Sequence, residues 1–163
     1  MNLRHSLLLL ILASICACGF ELRGSNLETL KQSKVYVNSS GNNTLAREIR
    51  KQLNFADVPV ARTVSEADYV VDVGNESFER KVLSVSGQTG KVEEYEILYQ
   101  ASFSVRGPGG KTLVKYEPIT AQRDYVFVDD AVLSKSDEEN KLREEIRQQS
   151  AASVLRRLKT LTQ

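Results

Sequence analysis

EYEILYQASFSVR, residues 94–106, is the stretch on which the fold turns. Tyr95, Ile97, Tyr99, Ala101, Phe103 and Val105 alternate with Glu96, Leu98, Gln100, Ser102 and Ser104. Successive side chains of an extended chain point to opposite faces, so this segment is a long strand with one face made for a core and the other for water. A sheet solvated on one side is antiparallel over much of its extent and covered on the other side, which points to an α+β layer structure.

Working outward, RGPGGK (106–111) reads as a hairpin turn, and the chain returns through TLVKYEPITAQRDYVFV (112–128). Pro118 has no N–H to give to a ladder, which predicts an edge position or a local irregularity. On the other side, SVSGQTGK (84–91) is the tip of a second hairpin, preceded by a strand that starts at Ala67. There Tyr69, Val71 and Val73 share one face and Asp68 and Asp72 the other, but beyond Gly74 the apolar positions move to Phe78 and Val82. That change of parity predicts a bulge or break near Gly74.

Two helices complete the pattern. KVYVN (34–38) is of strand type, SSGNN is turn-rich, and TLAREIRKQLNFADV (44–58) repeats Leu45, Ile49 and Leu53 every four residues, with Asn43 or Thr44 as N-cap. SKSDEENKLREEIRQQSAASVLRRLKTL (134–161) is a longer helix with a stripe of Leu142, Ile146, Val154, Leu158 and Leu161. Ser136 with Glu139 matches a capping box, and Arg156, Arg157 and Lys159 suit the negative end of the helix dipole. The order β-α-β-β-β-α predicts an α+β fold with two helices packed on one face of a four-stranded mixed sheet.

The N-terminus has the plan of an export signal: MNLRH with Arg4, then the apolar SLLLLILASI, too short for the roughly 20 residues of a membrane-spanning helix. The chain has two cysteines, Cys16 and Cys18, in CACGFELRG (16–24). Ile15, Cys16 and Ala17 ahead of Cys18 resemble the lipobox of bacterial lipoprotein signals, which predicts that residues 1–17 are removed and that Cys18 is acylated at the head of a single domain, 18–163. Choosing Cys16 as acceptor would put Ile15 where a small residue is wanted. The C-x-C spacing is not that of a thioredoxin-like redox pair. Two signals already give stable anchoring, at about 0.8 kcal/mol per buried CH₂, so three acyl chains would be nearly permanent. Gly19, rather than Asp, after the acylated residue favours sorting to the outer membrane.

Several function classes lose support. Without residues 1–17, basic and acidic side chains balance at 21 each, which gives little electrostatic basis for nucleic-acid binding. The one histidine, His5, lies in the leader, so the rest of the chain has neither a Ser-His-Asp nor a Cys-His mechanism nor a His-bearing zinc site. The acidic pairs Glu93-Glu94, Asp129-Asp130, Glu138-Glu139 and Glu144-Glu145 are adjacent, which turns their members apart. GQTGK and GPGGKT lack the first glycine of a phosphate loop, since Val85 and Val105 stand there. The expectation is a non-enzymatic protein with no metal and no cofactor. Arg80, Lys81, Lys91, Arg106, Lys111, Arg123 and Lys135, near strand ends, suit the phosphates of a glycolipid through charge-assisted hydrogen bonds.

CGFELRG (18–24), KVYV, TLAREIRKQL, GQT followed by EYEI, and VLSKSDEENKLREEI with its LRRL ending occur in an order that resembles the LptE family of lipopolysaccharide-assembly lipoproteins. The resemblance spans the chain from Cys18 onward and implies the same two-helix, four-stranded fold. It further implies a plug inside the outer-membrane barrel LptD that helps the barrel assemble and passes lipopolysaccharide to the outer leaflet. Among basic residues that bind lipopolysaccharide in the family, one just before the C-terminal helix matches Lys135. Another, ahead of the GQT turn, falls on Val85-Ser86 here, with Lys91 across the tip as a substitute. The alternatives are a generic periplasmic lipoprotein that scaffolds another envelope complex and a carboxylate-dependent glycan hydrolase, which needs two acids facing each other across a cleft.

Overall fold

The alternating segment lies at the centre of the sheet. The computed structural model describes residues 27–39, 41, 43–127 and 132–162, the side chains of 132–137 excepted. The leader 1–17, Cys18 and the CGFELRG motif lie outside the described residues. The elements run β1 (Val35–Ser39), α1 (Thr44–Phe55), β2 (Tyr69–Val73), β3 (Ser77–Val85), β4 (Val92–Arg106), β5 (Thr112–Val126) and α2 (Val132–Leu161), with short 3-10 turns between some of them.

β5 pairs antiparallel along β4 from Glu94↔Val126 to Arg106↔Thr112. The same stretch of β4 also pairs with β2 (Val73↔Phe103) and with β3 (Ser77↔Gln100), so β2 and β3 lie end to end along its opposite edge. Their registers differ by one residue, which is the break expected near Gly74. It divides the anticipated second strand in two, and the sheet therefore has five strands rather than four. β1 joins in parallel, Val35↔Tyr69 to Ser39↔Val73, and makes the sheet mixed. Pro118 sits opposite Ser102 on β5, whose outer edge pairs with no other described strand.

Val35, Val37, Val71, Val73, Ile97, Tyr99, Phe103 and Val105 form the sheet's share of the core, and Leu45, Ile49 and Leu53 cover it from α1. α2 contributes Ile146, Ala151, Val154, Leu155 and Leu158. Asn43 caps α1: its side-chain oxygen accepts from the Ala46 N–H at 2.9 Å, and its amide donates to the Gly74 carbonyl at 2.7 Å. One side chain thus satisfies a helix end and ties it to the strand break. α1 stops at Phe55, three residues short of the expected end, where Asp57 turns the chain through the left-handed region (φ 56°) ahead of Pro59.

α2 begins at Val132, so Ser136 lies inside the helix and the Ser136–Glu139 capping box is not at its start. α1 packs on α2 and β1, while β3 and its partners run on beyond them as a three-stranded ribbon that α2 meets through Glu139 and Arg143. Among the described residues, no helix is long and apolar enough to cross a membrane.

Candidate functional site at the hairpin end

The ribbon ends in the turn between β3 and β4. Ser86 donates its N–H to the Lys91 carbonyl at 2.7 Å, and Gly90, with a φ of 68° that favours glycine, donates to the Ser86 carbonyl at 2.8 Å. Lys91 is exposed at this tip. The Phe127 N–H reaches the Glu93 carbonyl at 2.6 Å, which holds the end of β5 beside the hairpin, and α2 starts five residues later. The fold therefore brings the start of α2, with Lys135, to the same end of the sheet as Lys91. Lys135 lies within the first turns of α2 rather than ahead of it.

A shallow cleft of about 780 Å³ opens here, with Ser84, Ser86, Lys91, Glu94, Val126 and Phe127 in its wall. Val82, Leu83, Val85 and Val126 are large apolar side chains left exposed on the same ribbon. The hairpin end is thus amphipathic, pairing an ammonium with apolar surface.

Between the ribbon and α2 lies a network of charges and rings. Glu139 accepts from the Tyr125 hydroxyl at 2.8 Å, from Arg80 Nη1 at 3.2 Å and from Arg143 Nε at 2.9 Å. The Arg80 guanidinium lies 4.7 Å from the Tyr95 ring centre, and Tyr95 in turn stacks on Tyr125 and meets Phe127 edge-on. One step along the helix, Glu76 accepts from the Tyr99 hydroxyl at 3.2 Å and from Arg147 Nε at 3.4 Å, while Arg143 and Arg147 both cover Phe78. Burial, reinforced by Glu76, pushes the Tyr99 hydroxyl well above its ordinary pKa, so it stays a donor. Burial alone would raise the Glu139 carboxyl, but hydrogen bonds from Tyr125 and Arg143 and the charges of Arg143 and Arg80 outweigh it and hold the group below the usual carboxylate range.

This network divides the basic residues read from the sequence. Arg80 faces α2 because its register with Ile97 places it on the core side of the sheet. Arg106 pairs with Asp72 at 3.1 Å, and Arg123 binds the Gln122 carbonyl and Gln149. Lys111 lies at the opposite end of β4. Lys81, 3.8 Å from Glu79, and Lys91 lie toward the hairpin end, as does the backbone of Lys135 at the start of α2. Glu76, Glu139, Arg143 and Arg147 were not singled out from the sequence as a group; the signal in retrospect was Arg80 on the same strand face as Phe78 and Val82. Among the described residues, no set of three or more His, Cys, Asp or Glu side chains is placed to hold a metal ion.

Comparison with known proteins gives a consistent result. The model of the lipopolysaccharide-assembly family LptE matches residues 33–158. The chain is 29% identical, over 98% of its length and 88% of the relative's, to the LPS-assembly lipoprotein LptE of Pectobacterium atrosepticum. It is 28% identical to the protein of the same name in Photorhabdus laumondii, over the same shares of the two chains. The crystal structure of rare lipoprotein B from Shewanella oneidensis is similar with a TM-score of 0.68 and 30% identity, over 78% of this chain and 94% of that one. The solution structure of lipoprotein B from Nitrosomonas europaea, at 22% identity, shares the fold with a TM-score of 0.73, over 88% of this chain and 92% of that one.

Proposed function

The chain belongs to the LptE lipopolysaccharide-assembly family, and from that premise we propose that it is an outer-membrane lipoprotein that works with an LptD-type β-barrel to place lipopolysaccharide in the outer leaflet. Acyl chains on Cys18 hold it to the membrane, and its role is non-enzymatic: plug, barrel-assembly aid and lipopolysaccharide-binding subunit. The observation that carries this reading is the family match across both helices and the whole sheet, with the Pectobacterium atrosepticum and Photorhabdus laumondii relatives named for lipopolysaccharide assembly.

The geometry supports the finer parts. Two helices cover one face of the sheet and leave the other largely polar, with Glu96, Gln100, Ser102 and Ser104 beside a single Leu98 on β4. A polar face of this kind suits the hydrated interior of a large barrel, whose lumen side is itself polar. The amphipathic hairpin end suits a molecule that carries phosphates and acyl chains together. Lys135 and Lys91 take the phosphates there, and the exposed valines and Leu83 meet apolar surface. Depletion of the chain in its native bacterium tests the role: lipopolysaccharide labelled at the cell surface is expected to fall, and an undiminished surface signal would overturn the reading.

A further inference from the structure

Away from the hairpin end, two irregularities flank the same residues of β4 on the open face of the sheet. On one edge, β2 ends at Val73 and β3 resumes at Ser77. On the other, the β4–β5 register slips between Phe103↔Glu117 and Val105↔Val114, so that Lys115 and Tyr116 together stand opposite Ser104. The slip turns both Val114 and Glu117 toward α2: Val114 is buried, and Glu117 accepts from Arg157 Nε at 3.0 Å. Lys115 and Tyr116 are thereby both left to the open face, and Tyr116 is 68% exposed, unusual for a large ring on a polar surface.

Between the two irregularities is a dip of about 190 Å³ walled by Asp72, Gly74, Ser102, Ser104, Lys115 and Tyr116. Asp72 is fixed in place by Asn38 at 2.8 Å and by Arg106 at 3.1 Å. The side chains of Ser102, Ser104, Lys115 and Tyr116 make no hydrogen bond or ion pair with another described residue. The site thus offers one flat aromatic face, hydroxyls with free hydrogen-bonding capacity, one oriented carboxylate and one unpaired ammonium.

We propose that this dip is a saccharide subsite that takes one ring of an acidic oligosaccharide. A pyranose presents an apolar C–H face and a rim of hydroxyls. The Tyr116 ring packs against the first, and Ser102, Ser104 and Asp72 exchange hydrogen bonds with the second. Lys115 supplies the charge that selects a ring bearing a carboxylate or phosphate. The dip mixes apolar surface with hydroxyls, a carboxylate and an ammonium, which suits a ring that has an apolar face and a polar rim better than a wholly apolar acyl chain. The dip is smaller than the roughly 300–1,000 Å³ of pockets that enclose whole ligands, which suits one ring of a longer chain lying across the sheet. The inference rests on the function proposed above for its source of glycan, since the open face is the one assigned to the barrel lumen.

The test is an amide chemical-shift titration of the full chain in detergent micelles with lipid-free glycan released from lipopolysaccharide. Saturable shifts are expected at 72–74, 102–104 and 115–116. Tyr116→Ala should weaken binding at least tenfold, and Lys115→Glu should weaken it severalfold, with the thermal midpoint unchanged because both side chains are exposed. Shifts absent from these positions, or a Tyr116→Ala chain that binds like the native one, would overturn the subsite. Binding of intact lipopolysaccharide is followed in parallel at the hairpin end. If it persists while the glycan produces no shift, the subsite fails and the wider function stands.

Discussion

Replacing Glu139 with Gln separates two roles that the sequence pattern alone confuses. As the last member of a Ser-x-x-Glu capping box, Glu139 would tolerate Gln, which serves that motif equally well. In the structure its carboxylate instead receives Tyr125, Arg80 and Arg143, and its side chain is 15% exposed. Hydrogen bonds to a charged group contribute about 1.5–3 kcal/mol each and neutral ones about 0.5–1.5, so three partners lose about 1 kcal/mol apiece. Arg80 and Arg143 are partly exposed and recover some of this from water. The expected cost is therefore about 2 kcal/mol, or about 4–8 °C in the thermal midpoint for a domain of this size. Because the folded carboxyl titrates below its unfolded value of about 4.3, its stabilisation is fully present above that pH and is lost as pH falls through the lowered folded value. Thermal unfolding followed by circular dichroism at pH 7 and pH 3.5 checks both points. A Glu139→Gln midpoint equal to the native one at pH 7, or a difference that does not shrink in acid, would refute the reasoning.

Other consequences are as direct. Asn43→Ala removes the α1 cap and the tie to Gly74 and should cost about 1–2 kcal/mol, read from the urea midpoint. Ile146→Ala, at a position 1% exposed between α2 and the sheet, should cost about 2–5 kcal/mol in the same assay. Cys18→Ser should leave the leader uncleaved or the protein mislocalised, whereas Cys16→Ser should be processed normally; mass spectrometry of the mature N-terminus distinguishes them, and acyl groups on Cys16 would reverse the assignment. Lys135→Glu should weaken lipopolysaccharide binding and leave association with the barrel intact, and unchanged binding would make Lys135 an ordinary solvated charge.

The sheet was legible because its signals are local. Alternation over 94–106 marks the buried face of β4, and the parity change after Val73 marks the break that makes five strands of four. Pro118 announced an edge in the same way. What failed depended on partners far along the chain. Ser136 and Glu139 have capping spacing, but the residues that engage Glu139 come from β3 and β5 as well as from α2 itself. Arg80 looks like surface charge until its pairing with Ile97 turns it toward α2. Ala151 and Leu155 fall outside a stripe drawn from Leu142, Ile146 and Val154, because α1 packs on α2 and widens the covered face. The bulge at Lys115–Tyr116 left no pattern in KYEP, since either residue would also be acceptable on a regular strand.

Isolation of the tagged full-length chain from native outer membranes in mild detergent tests the proposed function most directly. The expected result is recovery with an LptD-type barrel in equimolar amount, retained when Lys135 is changed to Glu. Recovery of the chain alone, or with a different envelope complex, would contradict it.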